Sequence, residues 1–289
     1  LTFNPSDSRY IVAVGKHFLR CYFFKDQQRI QETALHEQER SEQTFHSAAW
    51  IPNSRLVMVG TSGGNILVLE NMHLVRKVSI TEELTRFQSS VNIEDQNVSC
   101  IVLTSDGFLC SHGTSSVLWF EDNFKLHKVL SIPESSKESR VIQLSMNVLE
   151  DTITASTKDG RILVYCSKFR SNGMSFEDNF RVIQGYQHTK TMICADAIQM
   201  TPLQASCSEI DVILMDYITG EVVLRNQLSS KPRSISLCSL GTSLAIGHED
   251  AVRIYNVVND TLVETKSFKE ASDSRVSHSF LHYKIKVPK

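Results

Sequence analysis

Short apolar runs alternate along this chain with polar turns that carry Gly, Asp or Asn. Val12-Ala13-Val14-Gly15 is followed, after a turn, by Leu19-Arg20-Cys21-Tyr22. The same two-part unit recurs as Leu56 to Gly60 with Ile66 to Leu69, and as Phe108 to His112 with Val117 to Phe120. It returns as Ile153 to Thr157 with Ile162 to Tyr165, as Gln204 to Ser208 with Val212 to Met215, and as Leu244 to Gly247 with Val252 to Tyr255. Runs of this length, rich in Val, Ile and Leu and bounded by turn residues, predict β-hairpins. Gly63-Gly64 and Asp159-Gly160 are expected to supply the positive φ that a two-residue hairpin turn requires. A further strand ending in a turn precedes most units, as in Ala48-Ala49-Trp50-Ile51-Pro52-Asn53 and Ser234-Ile235-Ser236-Leu237-Cys238. A more polar one follows most of them, as in His73-Leu74-Val75-Arg76-Lys77-Val78 and Glu221-Val222-Val223-Leu224.

Taking Leu19, Ile66, Val117, Ile162, Val212 and Val252 as equivalent, the units repeat at intervals of 47, 51, 45, 50 and 40 residues. A period of roughly 40–50 residues with four strands per unit is that of propeller blades. The predicted fold is therefore all-β, a β-propeller of about six four-stranded blades, each burying its faces against its neighbours. Long helical periodicity is absent, which disfavours helical solenoids and α/β folds. The polar insertions, Lys25 to Thr44, Glu82 to Gln96 and Pro133 to Arg140, read as inter-blade loops on the rim. Residues 29–40 within the first are compatible with a short exposed helix. The segment from Val276 to Tyr283 resembles the first strand of another unit, so both ends read as cut from a longer repeat array.

Composition narrows the functional classes. Lys and Arg number 30 against 32 Asp and Glu, giving a net charge of −2 over 289 residues. Near-neutrality argues against a nucleic-acid wrapper or a polybasic membrane binder, whose affinity comes from neutralising phosphates. No apolar run approaches the ~18 residues of a membrane span, and the opening LTFNPSDSRY lacks the regions of a signal peptide. The seven cysteines are odd in number, irregularly spaced and free of any C-x-x-C pair. Most lie inside apolar runs, where a thiol packs as a small hydrophobe, so a reducing, cytoplasmic setting is expected.

Catalytic chemistry finds no foothold. The ten histidines form no metal-binding pattern on a helix. Gly60-Thr61-Ser62-Gly63-Gly64 lacks the Gly-Lys-Ser/Thr ending and the following helix of a phosphate loop. His112-Gly113-Thr114-Ser115-Ser116 is not a nucleophile elbow. A central-funnel enzyme would need titratable side chains converging from inner strands, and the candidates Phe3, Ala49, Ser99, Leu144 and Ser236 are apolar or inert. No catalytic, cofactor-binding or metal-ligating residue is predicted. No cofactor, small-molecule substrate, nucleic acid or membrane is expected, which leaves other proteins as partners.

Phe3-Asn4-Pro5-Ser6-Asp7 resembles the turn of the WD-repeat family, and Ala155-Ser156-Thr157-Lys158-Asp159-Gly160 resembles its hairpin. The terminal Trp-Asp dipeptide is degenerate, as Trp119-Phe120-Glu121, Asp216-Tyr217 or Tyr255-Asn256. In that family such histidines as His17, His112, His188 and His248 hold a network to a turn Asp and a strand Ser or Thr. The order of the units is similar to that of the cilia- and flagella-associated WD-repeat proteins, which carry tandem propellers. That resemblance implies two domains: residues 1–183 as the last four blades of one propeller, and 184–289 as the first blades of a second. It also implies a non-catalytic scaffold in the axoneme of cilia or flagella, binding inner dynein arm or regulatory-complex subunits. The alternatives are a cytosolic adaptor such as a ubiquitin-ligase substrate receptor, with Arg9, Arg55, Arg140 and Arg233 near the blade starts, or the funnel enzyme.

Overall fold

The apolar runs are strands because both of their faces meet a neighbouring sheet. A computed structural model describes residues 1–25, 28–32, 43–71, 73–87, 96–113, 116–133, 139–166, 180–184 and 188–269. Among them are six four-stranded antiparallel sheets, each a simple meander of consecutive strands. Blade 1 comprises Thr2–Phe3, Tyr10–Gly15, Phe18–Lys25 and Gln28–Glu32; blade 2 comprises Phe45–Trp50, Leu56–Thr61, Asn65–Glu70 and His73–Ser79. Blade 3 runs Ile101–Thr104, Gly107–His112, Ser116–Glu121 and Leu126–Ser131; blade 4 runs Val141–Met146, Thr152–Thr157, Ile162–Cys166 and Arg181–Gln184. Blade 5 is Cys194–Ala197, Leu203–Cys207, Asp211–Asp216 and Val222–Gln227; blade 6 is Pro232–Leu237, Ser243–His248, Ala251–Val258 and Thr261–Lys269. The chain is an all-β propeller, and every predicted hairpin is the second and third strand of a blade.

Successive blades touch chiefly through their first and second strands, which places the first strands nearest the axis. The third strand of blade 2 shows why its sequence reads as an unbroken apolar run. Ile66 and Val68 enter the core shared with blade 3, while Leu67 and Leu69 enter the core shared with blade 1. All four are at most 4% exposed. Alternate residues thus serve two cores, and no position is left for a polar side chain. Burying one such aliphatic side chain contributes about 1.5–3 kcal/mol. In blade 4, Leu163 and Tyr165 face blade 3 while Ile162 and Val164 face blade 5. The fourth strand lies outermost and reads differently: in His73–Ser79 only Val78 is buried.

Third and fourth strands share a recurrent irregularity. The register shifts at Val68/Leu69, Trp119/Phe120, Ile162/Leu163, Leu214/Met215 and Ile254/Tyr255. A bulge there raises the local twist of these five blades, while blade 1 pairs its third and fourth strands without a shift. Five hydrophobic clusters link the six blades in series, and among the described residues none joins the sixth to the first. The boundary expected at 183/184 falls inside the strand Arg181–Gln184. Met192, Ile213 and Met215 of the following blade pack on Ile162 and Val164 across it.

Two local expectations need correction. The turns at Gly63-Gly64 and Asp159-Gly160 hold three residues, 62–64 and 158–160, closed by Asn65 N–H donating to Thr61 Oγ1 and by Thr157 N–H donating to the Arg161 carbonyl. Only the last residue of each is left-handed, Gly64 at φ +72° and Gly160 at φ +92°. A type I turn ending in one left-handed residue makes that connection. Residues 29–32 belong to the strand Gln28–Glu32 rather than to a helix, because they pair with Cys21 to Phe24; the remainder of 29–40 lies outside the described residues. Helix occurs instead at Ile80–Phe87 (α1), eight residues in the connection after blade 2. Ile80 and Leu84, one turn apart, are buried there while Glu82 and Arg86 face solvent. The expected strand at Val276 to Tyr283 lies outside the described residues.

Candidate functional site

The strongest resemblance to chemistry lies in blade 5. His188 stands ahead of its first strand, Ser206 is inside its second, and Asp211 opens its third. The His188 Nδ1 is 2.7 Å from Asp211 Oδ1, and its Nε2 is 2.8 Å from Ser206 Oγ. A carboxylate only accepts, so Nδ1–H donates to Asp211 and Nε2 accepts the Ser206 hydroxyl. This is the connectivity of a Ser-His-Asp triad. Access is what it lacks. His188, Ser206 and Asp211 are 6%, 2% and 6% exposed, and Ser206 sits mid-strand between two others rather than on a sharp turn. Burial lowers the His188 pKa, against the opposing pull of Asp211, so the ring is neutral in the folded protein. Ser208 Oγ also donates to Asp211, and Arg225 approaches it at 3.8 Å. The network ties the chain entering the blade to its second and third strands.

Blade 4 places a different set of residues in the same location. Arg161, 3% exposed, donates through Nε to Asp159 Oδ2 at 3.0 Å, through Nη2 to Ser139 Oγ at 2.6 Å and through Nη1 to the Pro133 carbonyl at 2.5 Å. Thr157 and Ser139 donate to the same carboxylate. Burial raises the Asp159 pKa, but the donors from Thr157, Arg161 and Ser139 outweigh it and hold the group below its ordinary value. Arg161 stands at the register position of Asp211, each accepting through its carbonyl the N–H that closes the turn, from Thr157 and Ser208 respectively, and Ser139 of the entering segment takes the part of His188. In blade 6 His248 Nδ1 lies 2.9 Å from Ser230 Oγ. All three sets serve to fasten blades.

The inner-strand candidates do not converge. Leu144 is in the core shared by blades 3 and 4, and Ala49 packs on that of blades 2 and 3. Phe3, in the first strand of blade 1, is half-buried. Ser99 Oγ donates to the Val141 carbonyl at 2.8 Å. Ser236 lies beside Asp196, whose carboxylate accepts Leu237 N–H at 2.8 Å and whose pKa is raised by burial. The four arginines divide between the two ends of the propeller. Arg9 and Arg55 stand before second strands, Arg140 and Arg233 at the start of first strands, separated by a strand of about 20 Å. Arg9 pairs with Asp7 at 2.7 Å, and Arg233 pairs with Glu249. They cannot grip one ligand from one face.

The seven cysteines are all free thiols, four of them buried. Burial pushes Cys100 up to about 12, far from a reactive thiolate. Among the described residues no three His, Cys, Asp or Glu side chains are placed to hold a metal ion, and no helix is long and apolar enough to cross a membrane. Between blades 1 and 2 lies a shallow concavity of about 560 Å³, lined by Asn4, Asp7, Tyr10, Arg55 and Glu70 among others. It is open to solvent, and its buried polar member, Asn4, is occupied within the protein, donating to the Ser54 carbonyl and accepting from the Ser6 and Asp7 N–H groups.

Comparison with known proteins finds no matching family model and no matching curated protein. Solved structures do match. A chain in the crystal structure of the mitotic checkpoint complex superposes with a TM-score of 0.66 at 10% identity, over 91% of this chain and 75% of that one. The WD40 β-propeller domain of Doa1 also gives 0.66, at 14% identity, over 91% of this chain and 80% of that one. The fold is that of a WD40 β-propeller. Identities this low establish the fold alone. The WD40 architecture explains the buried networks, since each blade must anchor its entering segment with whatever polar residues its turn supplies. Sequence reading had singled out His188 but missed the Arg161 set. Its signal was an arginine beside a turn Asp-Gly at the head of an apolar strand, which reads equally well as a solvated charge.

Proposed function

We propose that this chain is a non-catalytic WD-repeat scaffold that binds other proteins. One observation carries the reading: the only Ser-His-Asp constellation among the described residues is sealed inside blade 5, while the turns and connections around the framework face solvent. A WD40 chain in a solved multiprotein complex supports it by analogy of fold. Within that reading the order of the units, from Phe3-Asn4-Pro5 to Ala205-Ser206-Cys207-Ser208, resembles that of cilia- and flagella-associated protein 57. The chain would then sit in the axoneme and anchor or regulate inner dynein arms. Imaging of the tagged full-length protein in ciliated cells tests this. Axonemal enrichment supports it, and a diffuse cytoplasmic signal removes it.

We further propose that 1–183 and 184–289 belong to successive propellers of a parent chain. The core shared by blades 4 and 5 sets the condition for this: within the parent, other blades must replace that contact. Limited proteolysis of the full-length protein decides. Release of a stable unit ending near residue 183 supports the division. Resistance of that connection while flanking segments are cleaved removes it.

A further inference from the structure

Apolar side chains at hairpin turns have no core to enter, so their presence calls for a cause. In a four-stranded meander the first-to-second and third-to-fourth turns lie at one end of the blade. At that end Val148, Leu149, Met200, Ile218 and Leu240 are 60%, 71%, 76%, 60% and 71% exposed. All belong to turns of blades 4 to 6. The first-to-second turns of blades 1 to 3 read Pro5-Ser6-Asp7, Pro52-Asn53-Ser54 and Ser105-Asp106, and among the described residues they contribute no large exposed hydrophobic residue.

The apolar turns are contiguous. Val148 N–H donates to the Gln199 carbonyl at 3.1 Å, joining the turns of blades 4 and 5. Tyr217 N–H donates to the Pro202 carbonyl at 2.8 Å, which brings Ile218 beside the Met200 turn. Gly241 lies so close to Leu203 that a Cβ there would stand 2.6 Å from its Cδ1, which seats the Leu240 turn against blade 5. Together these tips form one crescent over half of that end. Exposed apolar patches beyond a few hundred Å² mark interaction sites. The charges of the same turns have one sign. Among the described residues Glu150, Asp151, Asp216 and Glu221 carry them, with Asp260 in the neighbouring turn of blade 6, and none of these described turns holds a Lys or Arg. Glu150 is fixed in place by Ser105, whose N–H and Oγ–H donate to it at 2.8 and 2.6 Å.

We propose that this acid-rimmed apolar crescent docks a basic amphipathic segment of a partner protein. Apolar side chains of the segment meet Leu149, Met200 and Leu240, and its Lys and Arg residues face the rim. Methionine at the centre adapts to partners of different shape. The same rim repels an anionic membrane, which separates a peptide from a lipid surface as the occupant. The proposal rests on the scaffold reading and names the chemistry of its partner.

The test titrates the purified 289-residue chain with a fluorescein-labelled amphipathic helix of Leu and Lys, its counterpart with Glu for Lys, and anionic phospholipid vesicles. The Leu-Lys peptide is expected to saturate, to bind at least ~10-fold more tightly than the Leu-Glu peptide, and to weaken with salt. The variant Leu149→Ser, Met200→Ser, Leu240→Ser is expected to keep the wild-type melting temperature, because these side chains are exposed, and to lose at least ~10-fold in peptide affinity. Glu221→Lys should weaken binding in the same direction. Binding that survives the triple variant, equal binding of the Leu-Glu peptide, or vesicle binding abolished by those changes overturns the proposal. The scaffold reading is scored separately, from the axonemal proteins that co-purify with the tagged chain. Retention of all of them by the triple variant rejects the crescent and leaves the scaffold standing. Loss of a subset that competes with the Leu-Lys peptide supports the proposal.

Discussion

Replacing His188 by alanine tests whether the blade 5 network is structural. The change deletes a hydrogen bond to the Asp211 carboxylate and one from the Ser206 hydroxyl. A hydrogen bond to a charged group contributes about 1.5–3 kcal/mol, a neutral one about 1 kcal/mol, and a buried group left without a partner costs about 1–3 kcal/mol more. Asp211 keeps the Ser208 hydroxyl and Arg225, so the residual penalty falls mainly on Ser206. The expected loss is therefore about 3–4 kcal/mol, a large share of the ~5–15 kcal/mol that holds a domain folded. For a domain of this size it corresponds to a melting temperature lower by roughly 10 °C. Guanidinium denaturation at neutral pH, followed by fluorescence of Trp50 and Trp119, measures it. A loss below about 0.5 kcal/mol, the range of ordinary surface substitutions, would refute the reasoning.

The same histidine sets a pH dependence. Burial lowers the His188 pKa from 6.5, so the unfolded chain takes up the proton first as the pH falls. Stability is full above pH 6.5 and declines below it, by up to about 1.4 kcal/mol per pH unit for one histidine. His248, lowered by burial and by Arg253, shares that window. Asp7, held at about 2 chiefly by Arg9, loses its stabilisation only as the pH drops below 3.8, in a separate range. Denaturation midpoints of the His188→Ala protein should fall less steeply than wild type from pH 6.5 downward. An unchanged slope would assign the pH dependence elsewhere.

Three further outcomes are expected. Arg161→Met removes a buried cation from Asp159 and should cost about 3–5 kcal/mol by denaturation, with part of the loss recovered when Asp159→Leu is added; full additivity would deny the coupling. Gly107→Ala places a Cβ 2.0 Å from the Phe120 carbonyl oxygen and 2.8 Å from the Glu121 carbonyl carbon, both backbone. It should destabilise by at least ~3 kcal/mol or prevent folding, and a soluble variant melting within a few degrees of wild type would contradict that geometry. Fluorophosphonate probes, which label activated serines, should leave Ser206 unmodified in the native protein, as read by peptide mass spectrometry; stoichiometric labelling would reopen the catalytic reading.

The repeat of apolar runs determined the fold by itself. A third strand such as Asn65–Glu70 can bury Ile66 and Val68 on one side and Leu67 and Leu69 on the other only if sheets flank it on both faces. That demand is local, is written in consecutive residues and returns with each unit, so one sequence reveals it. The turn details were less legible. Gly64 and Gly160 announce a left-handed residue, whereas the third residue of each loop depends on how the flanking strands align. Pairing of Gln28–Glu32 with Phe18–Lys25 likewise overrode a weak helical spacing, because five successive residue pairs along the third strand outweigh the helix propensity of a few residues. Only the tertiary structure decided which polar residues are fastened inside. His188, Ser206 and Asp211 are 18 and 5 residues apart along the chain, and Ser139 and Arg161 are 22 apart. Hydrogen bonds reach about 3 Å, and no spacing in sequence encodes that proximity. The apolar crescent was invisible for the same reason. Leu149, Met200 and Leu240 are separated by whole blades, and the closed turns of the meander alone bring them to one end.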